Sequence, residues 1–470
     1  MLTQKNEGDR SLRIEKDTLG KVKIPDNVYY GAQTKRAVGN FPISGLKLPR
    51  RFIRAQGIVK LAAVRSNYAL NLIDRKRATA IEKAALEVIN GAHDSHFVVD
   101  VYQAGAGTSQ NMNANEVIAN RAIEILKGKK GDYRQINPND HVNMAQSTND
   151  TIPASMYISA FEAVRDDLLP VLTALKNTLS EKAIEFDGIV KAGRTHLQDA
   201  VPMRLGQEFS GYAEAVNKDI HRISQASASL LNLPIGGNAV GTGINSTQGF
   251  QRHVIKEIRK ITNTKFRGCE NFFEGIQNVN PALEVSASLR GLAITLTKIA
   301  NDIRLLSSGP RTGFAEIRLP AVQPGSSIMP GKVNPVMAEM LNMVCFQVMG
   351  NDTTIAYATQ ASQLELNVMM PVIAYNLLVS IAILSNGVRV FNLKCLKGIK
   401  ADSEQCNRLA ETTLAIATAL NPVIGYASAA EVSKDAYRTG KSVKQVAVEK
   451  GIIKKHAADR LLDPMKLTGK

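Results

Sequence analysis

Between positions 281 and 307 the apolar residues Leu283, Leu289, Leu292, Leu296, Ile299, Ile303 and Leu306 recur at steps of three, four or six. That spacing places side chains on one face of an α-helix. Arg290, Lys298, Asp302 and Arg304 fall opposite them, so the pattern predicts an amphipathic helix of about 25 residues, roughly 38 Å long. Leu168, Leu172, Leu175, Leu179 and Ile184 repeat the pattern. From 371 to 392 the chain is apolar nearly all round, which predicts a helix buried inside a bundle. Three such helices imply a long central bundle, and the expected fold class is all-α. After about Lys400 the helical patterns shorten and the charges mix, as in a small separate domain. The division predicted is an N-terminal helical domain at 1–145, a central long-helix domain at 146–400 and a small C-terminal helical domain at 401–470.

Four segments interrupt the periodicity: 103–115, 137–153, 193–207 and 309–335. The last holds five prolines and four glycines in 27 residues. Irregular segments of that length are uncommon inside compact domains and usually carry function. No internal repeat or low-complexity tract appears.

Composition supports helix. Aromatic residues make up 5% of the chain and Trp is absent, whereas strands select aromatic and β-branched side chains. A hydrophobic share of 44% excludes intrinsic disorder. The four cysteines are far apart and form no CxxC pair, which excludes a disulfide scaffold or zinc ribbon and fits a reducing compartment. The N-terminal MLTQKNEGDRSLRIEKD is polar and of mixed charge, unlike a signal or transit peptide. The longest apolar stretch, 368–384, is interrupted by Pro371, Asn376 and Ser380, against a membrane span. A soluble cytoplasmic protein is expected, without a membrane partner. The net charge is +16, and between Lys47 and Arg77 nine basic residues face one acidic residue, Asp74. That stripe reads as a solvated helix face or as steering for small anions. It lacks the interleaved aromatics and groove-reading motif of a nucleic-acid site.

Candidate chemistry lies in the interruptions. GAGTSQNMNANE places Thr108 and Ser109 beside Asn111, Asn113 and Asn115; NPNDHVNMAQSTND ends in Ser147, Thr148 and Asn149. Short hydroxyl and amide groups can converge on a carboxylate without adding charge, and the same residues cap helices and make turns. GRTHLQDAVP offers Thr195 and His196. PGSSIMPGKVNP carries the adjacent Ser326 and Ser327, with Lys332 and Asn334 following. A Gly-rich loop can close over a substrate and exclude water. A serine acting as a base must be ionised and needs backbone donors and a nearby cation. No GxSxG elbow surrounds these serines, and GGNAVGTG at 236–243 has no βαβ context for a dinucleotide fingerprint.

GSSIMPGKVNP resembles the signature of the aspartase/fumarase superfamily. GAGTSQNMNANE, QSTND, GRTHLQDAVP and GTGIN stand in that family's order and spacing, and the resemblance runs from RIEKDTLG to the C-terminal region. It implies a three-domain, mainly helical chain whose central helices form a twenty-helix homotetramer core, with each active site built by segments of three subunits. It also implies reversible elimination across C2–C3 of a four-carbon diacid to give fumarate. On that pattern Ser326 matches the catalytic base, and Thr108, Ser147, Thr148 and Ser327 match the β-carboxylate positions. Lys332 and Asn334 match the α-carboxylate positions, while Asn149, Thr195 and His196 match positions near the leaving group. Glu339 matches the carboxylate that partners the histidine. No cofactor is implied; divalent-cation activation is known among such enzymes, and no ligand cluster here specifies a metal site. Relatives also serve as silent lens crystallins, a role that intact Ser326, Lys332, Asn334 and His196 argue against.

Within the family two branches compete. GAGTS, QSTND, DAVPMRLGQEF and EVSASL resemble the ammonia-lyase branch acting on L-aspartate, and AVQPGSS lacks the NEPGSS of class II fumarases. Asn137 stands where fumarases usually place a histidine of a second, peripheral anion site. MMPVIAYN is fumarase-like, with Met370 where many ammonia-lyases carry Glu, and His196 is common in fumarases. The expectation is the ammonia-lyase, with fumarase as the alternative.

Overall fold

The computed structural model describes residues 11–469; the first ten residues, part of the polar N-terminal stretch noted above, and Lys470 lie outside it. Among the described residues there are seventeen α-helices. The strands are short and pair only in four two-stranded ribbons, so the chain is all-α in class with small β additions that helical periodicity could not announce. The long elements match their predicted positions: Leu169–Glu185, Asn280–Leu306 and Met370–Lys394. Leu205–Ser227 and Val336–Gln360 are further long helices. By length and composition the Met370–Lys394 region would suit a membrane. Its Ile373, Leu377, Ile381, Leu384, Val388 and Phe391 are nevertheless fully buried, as in a core helix.

The chain forms two compact units. The first contains residues up to Leu168, Arg222–Arg290 and Gln347–Ile383. Its centre is the helix Arg50–Ala69, which packs against Arg75–Ile89, Thr148–Ala163 and Phe250–Thr262. Leu61, Val64, Ile81, Ala84, Val117 and Ile118 form a shared core there. The basic stripe lies on the first two of these helices, and ion pairing disposes of much of its charge. Arg51 meets Asp167 at 2.6 Å, Arg50 meets Asp94 at 2.9 Å, and Arg54 meets Glu162. Arg65 bridges Glu82 and Glu257. The paired arginines of the stripe thus tie helices together, while Lys47, Arg75 and Lys76 are exposed.

The second unit contains Leu169–His221, Gly291–Phe346 and Leu384 onward. The ribbon Val190–Thr195 with Gln198–Arg204 projects from it. At its base Glu316, fully buried, accepts two bonds from Arg194 at 3.0 and 3.1 Å and faces Lys191 at 3.5 Å, which in turn meets Glu208 at 2.9 Å. The short C-terminal helices enclose a core of their own, including Leu420, Val432, Ala436, Val446 and Leu462.

Ile81 is fully buried in the first core. Ile81→Ala is expected to lower unfolding stability by about 2–5 kcal/mol, read as a lower denaturant midpoint; a change within 0.5 kcal/mol, roughly the surface-substitution range, would contradict that packing.

Candidate active site

The polar segments of the first unit turn out to be helix starts. The interruption at 103–115 is in fact helical from Thr108, in the helix Thr108–Ile125. It escapes the apolar period because Asn111, Asn113 and Asn115 are buried polar residues. The helix begins directly after Gly107, whose φ of 82° lies in the left-handed region, and no side chain caps it. Thr108 is exposed and its hydroxyl donates to the Gly105 carbonyl at 3.2 Å. An uncapped helix start presents N–H groups and a partial positive charge, which suits an anion. Gly107 abuts Ile152, where a Cβ would lie 3.1 Å from the Ile152 side chain, so this start neighbours the helix Thr148–Ala163.

Ser147 is the N-cap of that second helix. Its hydroxyl accepts from the Asn149 backbone N–H at 3.2 Å, and Asp150 returns the bond to the Ser147 N–H at 2.9 Å. The capping reading of these residues is real, and it leaves the Ser147 hydroxyl proton available to a ligand. Thr148 is treated similarly: its oxygen accepts from Asn111 Nδ2 at 3.1 Å, leaving its own proton free to donate. Asn149 Nδ2 donates to the Ala239 carbonyl at 2.7 Å. A carbonyl can only accept, so this bond fixes the amide orientation and leaves Oδ1 and the second Nδ2 hydrogen for other partners.

Behind these groups lies a support that motif reading missed. Asn143 Oδ1 accepts from Lys60 Nζ at 2.9 Å, from Asn111 Nδ2 at 3.2 Å and from Asn115 Nδ2 at 3.2 Å. Lys60 also donates to Gln146 Oε1 at 3.1 Å. Burial pulls the Lys60 ammonium down to about 7, with Asp150 opposing. Burial pushes the Asp150 carboxyl up to about 6, against backbone bonds from Ser147, Gly236 and Asn238. Gly236 and Asn238 N–H groups reach Asp150 Oδ2 at 3.1 and 2.9 Å, so the glycine-rich loop is a structural clamp on the QSTND segment. The available signal for Lys60 was a lone cation inside IVKLAAV.

In the second unit the segment 324–335 is a self-contained turn. Gly325 N–H donates to the Lys332 carbonyl at 2.8 Å, and Asn334 Nδ2 donates back to the Gly325 carbonyl at 2.6 Å. A Cβ at Gly325 would sit 2.6 Å from the Lys332 oxygen, which is why this position requires glycine. Ser326 Oγ accepts from the backbone N–H groups of Ile328 and Met329 at 3.2 and 3.0 Å. Two aligned donors stabilise negative charge on that oxygen. Ser327 and Lys332 are exposed, while Asn334 and Glu339 are partly buried. The other element is the ribbon tip, where His196 and Leu197 both have positive φ, 56° and 59°. That tight turn holds Thr195 and His196 in solvent. Among the described residues no hydrogen bond or ion pair joins His196 to Glu339. The structure thus gathers Thr108, Ser147, Thr148 and Asn149 on two helix starts, and Ser326, Ser327, Lys332 and Asn334 on one turn. Asn137, the position compared above with a fumarase histidine, caps the turn Pro138–Val142 through bonds from Asn139 and Asp140.

A family model described as a lyase matches residues 20–350, and one described as the fumarase C C-terminus matches 416–469. The chain is 47% identical over 461 residues to an aspartate ammonia-lyase of Bacillus subtilis (strain 168), covering 98% of this chain and 97% of the relative. It is 50% identical over 456 residues to a class II fumarate hydratase of Halobacterium salinarum, covering 97% of each. The cobalt-bound crystal structure of a fumarate lyase:delta crystallin from Brucella melitensis superposes with a TM-score of 0.94 at 44% identity, covering 98% of this chain and 100% of that one. A class II fumarase from Schistosoma mansoni gives 0.95 at 37% identity, covering 97% and 99%.

The Asp150 carboxylate protonates as pH falls through about 6. The sign for stability is the reverse of a paired acid: between the ordinary value of 3.8 and about 6 the folded chain holds the extra proton, so this group's contribution to stability falls as pH rises through that window. For ligand binding the charged form is needed to hold the clamp. Asp150→Asn is expected to raise the substrate KM by about tenfold, the loss of a bond to a charged acceptor. The unaltered protein is expected to show a KM rise as pH falls below about 6, and the variant is expected to lack it. An unchanged KM-against-pH profile in the variant would contradict the assignment.

Proposed function

The chain belongs to the aspartase/fumarase superfamily of lyases, and from that premise we propose that it is an aspartate ammonia-lyase, converting L-aspartate reversibly to fumarate and ammonia. The difficult step is removal of a proton next to a carboxylate, which leaves two negative charges on one carboxyl group. Catalysis requires donors that bind this intermediate more tightly than the substrate. In this reading Ser326 takes the proton as an alkoxide. Its two backbone donors, at 3.2 and 3.0 Å, support that role. Thr108, Ser147, Thr148 and Ser327 hold the β-carboxylate, and Lys332 and Asn334 hold the α-carboxylate.

The features that carry the amine over the hydroxyl are GAGTS, QSTND and DAVPMRLGQEF, together with AVQPGSS in place of NEPGSS. Asn149, with Nδ2 donating to Ala239, supplies an acceptor that suits an ammonium donor, as it would a hydroxyl. An ammonium leaves without a general acid, whereas hydroxide needs one. Thr195 and His196 stand near the leaving group, with Glu339 of the assembled site as the partner of His196. No cofactor enters the proposed reaction, and we take the enzyme to be cytoplasmic. The exposed apolar residues Met343 and Phe346, 68% and 58% accessible, and Ile294, 55% accessible, support self-association. We infer a homotetramer in which segments of three chains make each site.

A class II fumarase is the second reading. It is favoured by buried Met370 in the MMPVIAYN stretch, by a solvent-facing His196 able to serve as the acid, and by relatives of both activities at similar identity.

Mixing the protein with L-aspartate and, separately, with L-malate while following fumarate absorbance distinguishes the two. Fumarate from aspartate is expected; fumarate from malate alone would establish the second reading. Ser326→Ala is expected to lower kcat by about 10³-fold, within the span of general-base effects, with the oligomer unchanged by light scattering. Near-normal turnover would remove Ser326 as the base.

A further inference from the structure

A cavity of about 380 Å³ opens in the first unit, among Tyr157, Ser229 and the segment running from Arg267 to Pro281. The elimination as proposed uses none of these residues. Tyr157 is 2% exposed, and its hydroxyl has no hydrogen-bond partner. Burial and the neighbouring Cys269 and Glu274 hold the phenol far above its ordinary pKa, so it stays protonated and remains a donor. Arg267 commits Nε to Asn232 Oδ1 at 2.6 Å; its terminal N–H groups have no acceptor among the described residues. Glu270 and Glu274, also lining the cavity, have no ion-pair partner among the described residues. The wall therefore presents cationic and neutral donors together with two unpaired carboxylates.

We propose that this cavity is a second binding site, for a small zwitterionic α-amino acid. Its carboxylate is held by Arg267 and Tyr157, and its ammonium by Glu270 and Glu274. A purely anionic ligand would face both carboxylates, and a purely cationic one would leave the arginine and the phenol unmatched. The volume accommodates an amino acid with a compact side chain.

The site bears on Asn149 through packing. Glu274 belongs to the short helix Phe272–Gln277. Phe272 and Ile276 lie against Gly237, where a Cβ would approach both side chains to 2.9 Å, and Phe273 lies against Gly241, where a Cβ would come within 2.8 Å of its ring. The same glycine-rich loop supplies Ala239 to Asn149 and the Gly236 and Asn238 N–H groups to Asp150. An occupant that moves the short helix moves that loop, because Phe272, Phe273 and Ile276 pack directly on its glycine backbone, with no loop side chain between to absorb a displacement.

The probe is glycine, which carries both charges but lacks the second carboxylate of a diacid. Calorimetric titration of the full chain with glycine is expected to show saturable binding, and Arg267→Gln and Glu274→Gln, both exposed positions, are each expected to weaken it by about tenfold or more, as for loss of a charge-assisted bond. Acetate and methylamine should bind more weakly than glycine. Absence of saturable glycine binding, or binding unaltered in both variants, overturns the site. Saturating glycine is expected to shift the KM of whichever of L-aspartate or L-malate is turned over, and to leave Glu274→Gln unaffected. Binding without a KM shift overturns the link to Asn149. The titration needs no turnover, so its failure is separable from failure of the proposed activity.

Discussion

Three N–H groups, from Lys60, Asn111 and Asn115, converge on the one amide oxygen of Asn143, and the direction of the Asn111 amide, and of Thr148 beyond it, follows from that convergence. Asn111 is turned so that its amide donates to Thr148. The Thr148 oxygen thereby accepts one bond and its proton is free to donate. Asp150 performs the matching task from the other side, tying Ser147 and the loop at Gly236 and Asn238 to one carboxylate. Hydroxyl and amide groups are ambivalent hydrogen bonders. Only a buried, directional support converts them into a row of donors that distinguishes a carboxylate from water. The cost is a lysine and an aspartate both taken out of solvent, and their shifted pKa values record it.

Charge is used differently in the two units. In the first, the arginines of Arg50–Ala69 join distant carboxylates such as Glu162, Asp167 and Glu257, so they hold helices to one another. In the second, buried Glu316 draws Arg194 and Lys191 to the base of the ribbon that carries His196. Removing one member of such a buried set leaves the others uncompensated, which is more damaging than the net worth of the set suggests.

The long helices were legible because their burial is apolar and periodic: Leu289, Leu292, Leu296 and Ile303 are fully buried where the spacing places them. The start of the Thr108 helix was not, because Asn111, Asn113 and Asn115 are buried there, and hydropathy reads asparagine as surface. The candidate residues were legible as motifs, Ser326 and Lys332 above all. Their support was not. Lys60 contacts Asn143 across 83 positions of sequence and Asp150 contacts Gly236 across 86, and no local pattern encodes pairings that distant. Asn149 is intermediate: its presence in QSTND was visible, whereas the orientation of its amide depends on a carbonyl at Ala239.

The turn at 324–335 is closed on itself by the Gly325 and Asn334 bonds, and the two donors to Ser326 come from inside it. Such a segment can be displaced as one piece, carrying the charge-stabilising environment of the serine along with the serine. Ordering a loose chain costs about 1–2 kcal/mol per residue in backbone entropy, so fixing a dozen free residues over a substrate would consume most of the binding energy of a small diacid. Here the interior is ordered beforehand, and only the joints beside Pro324 and Pro335, both restricted by proline rings, remain to be fixed. Substrate binding energy is thereby left for the proton that must be removed.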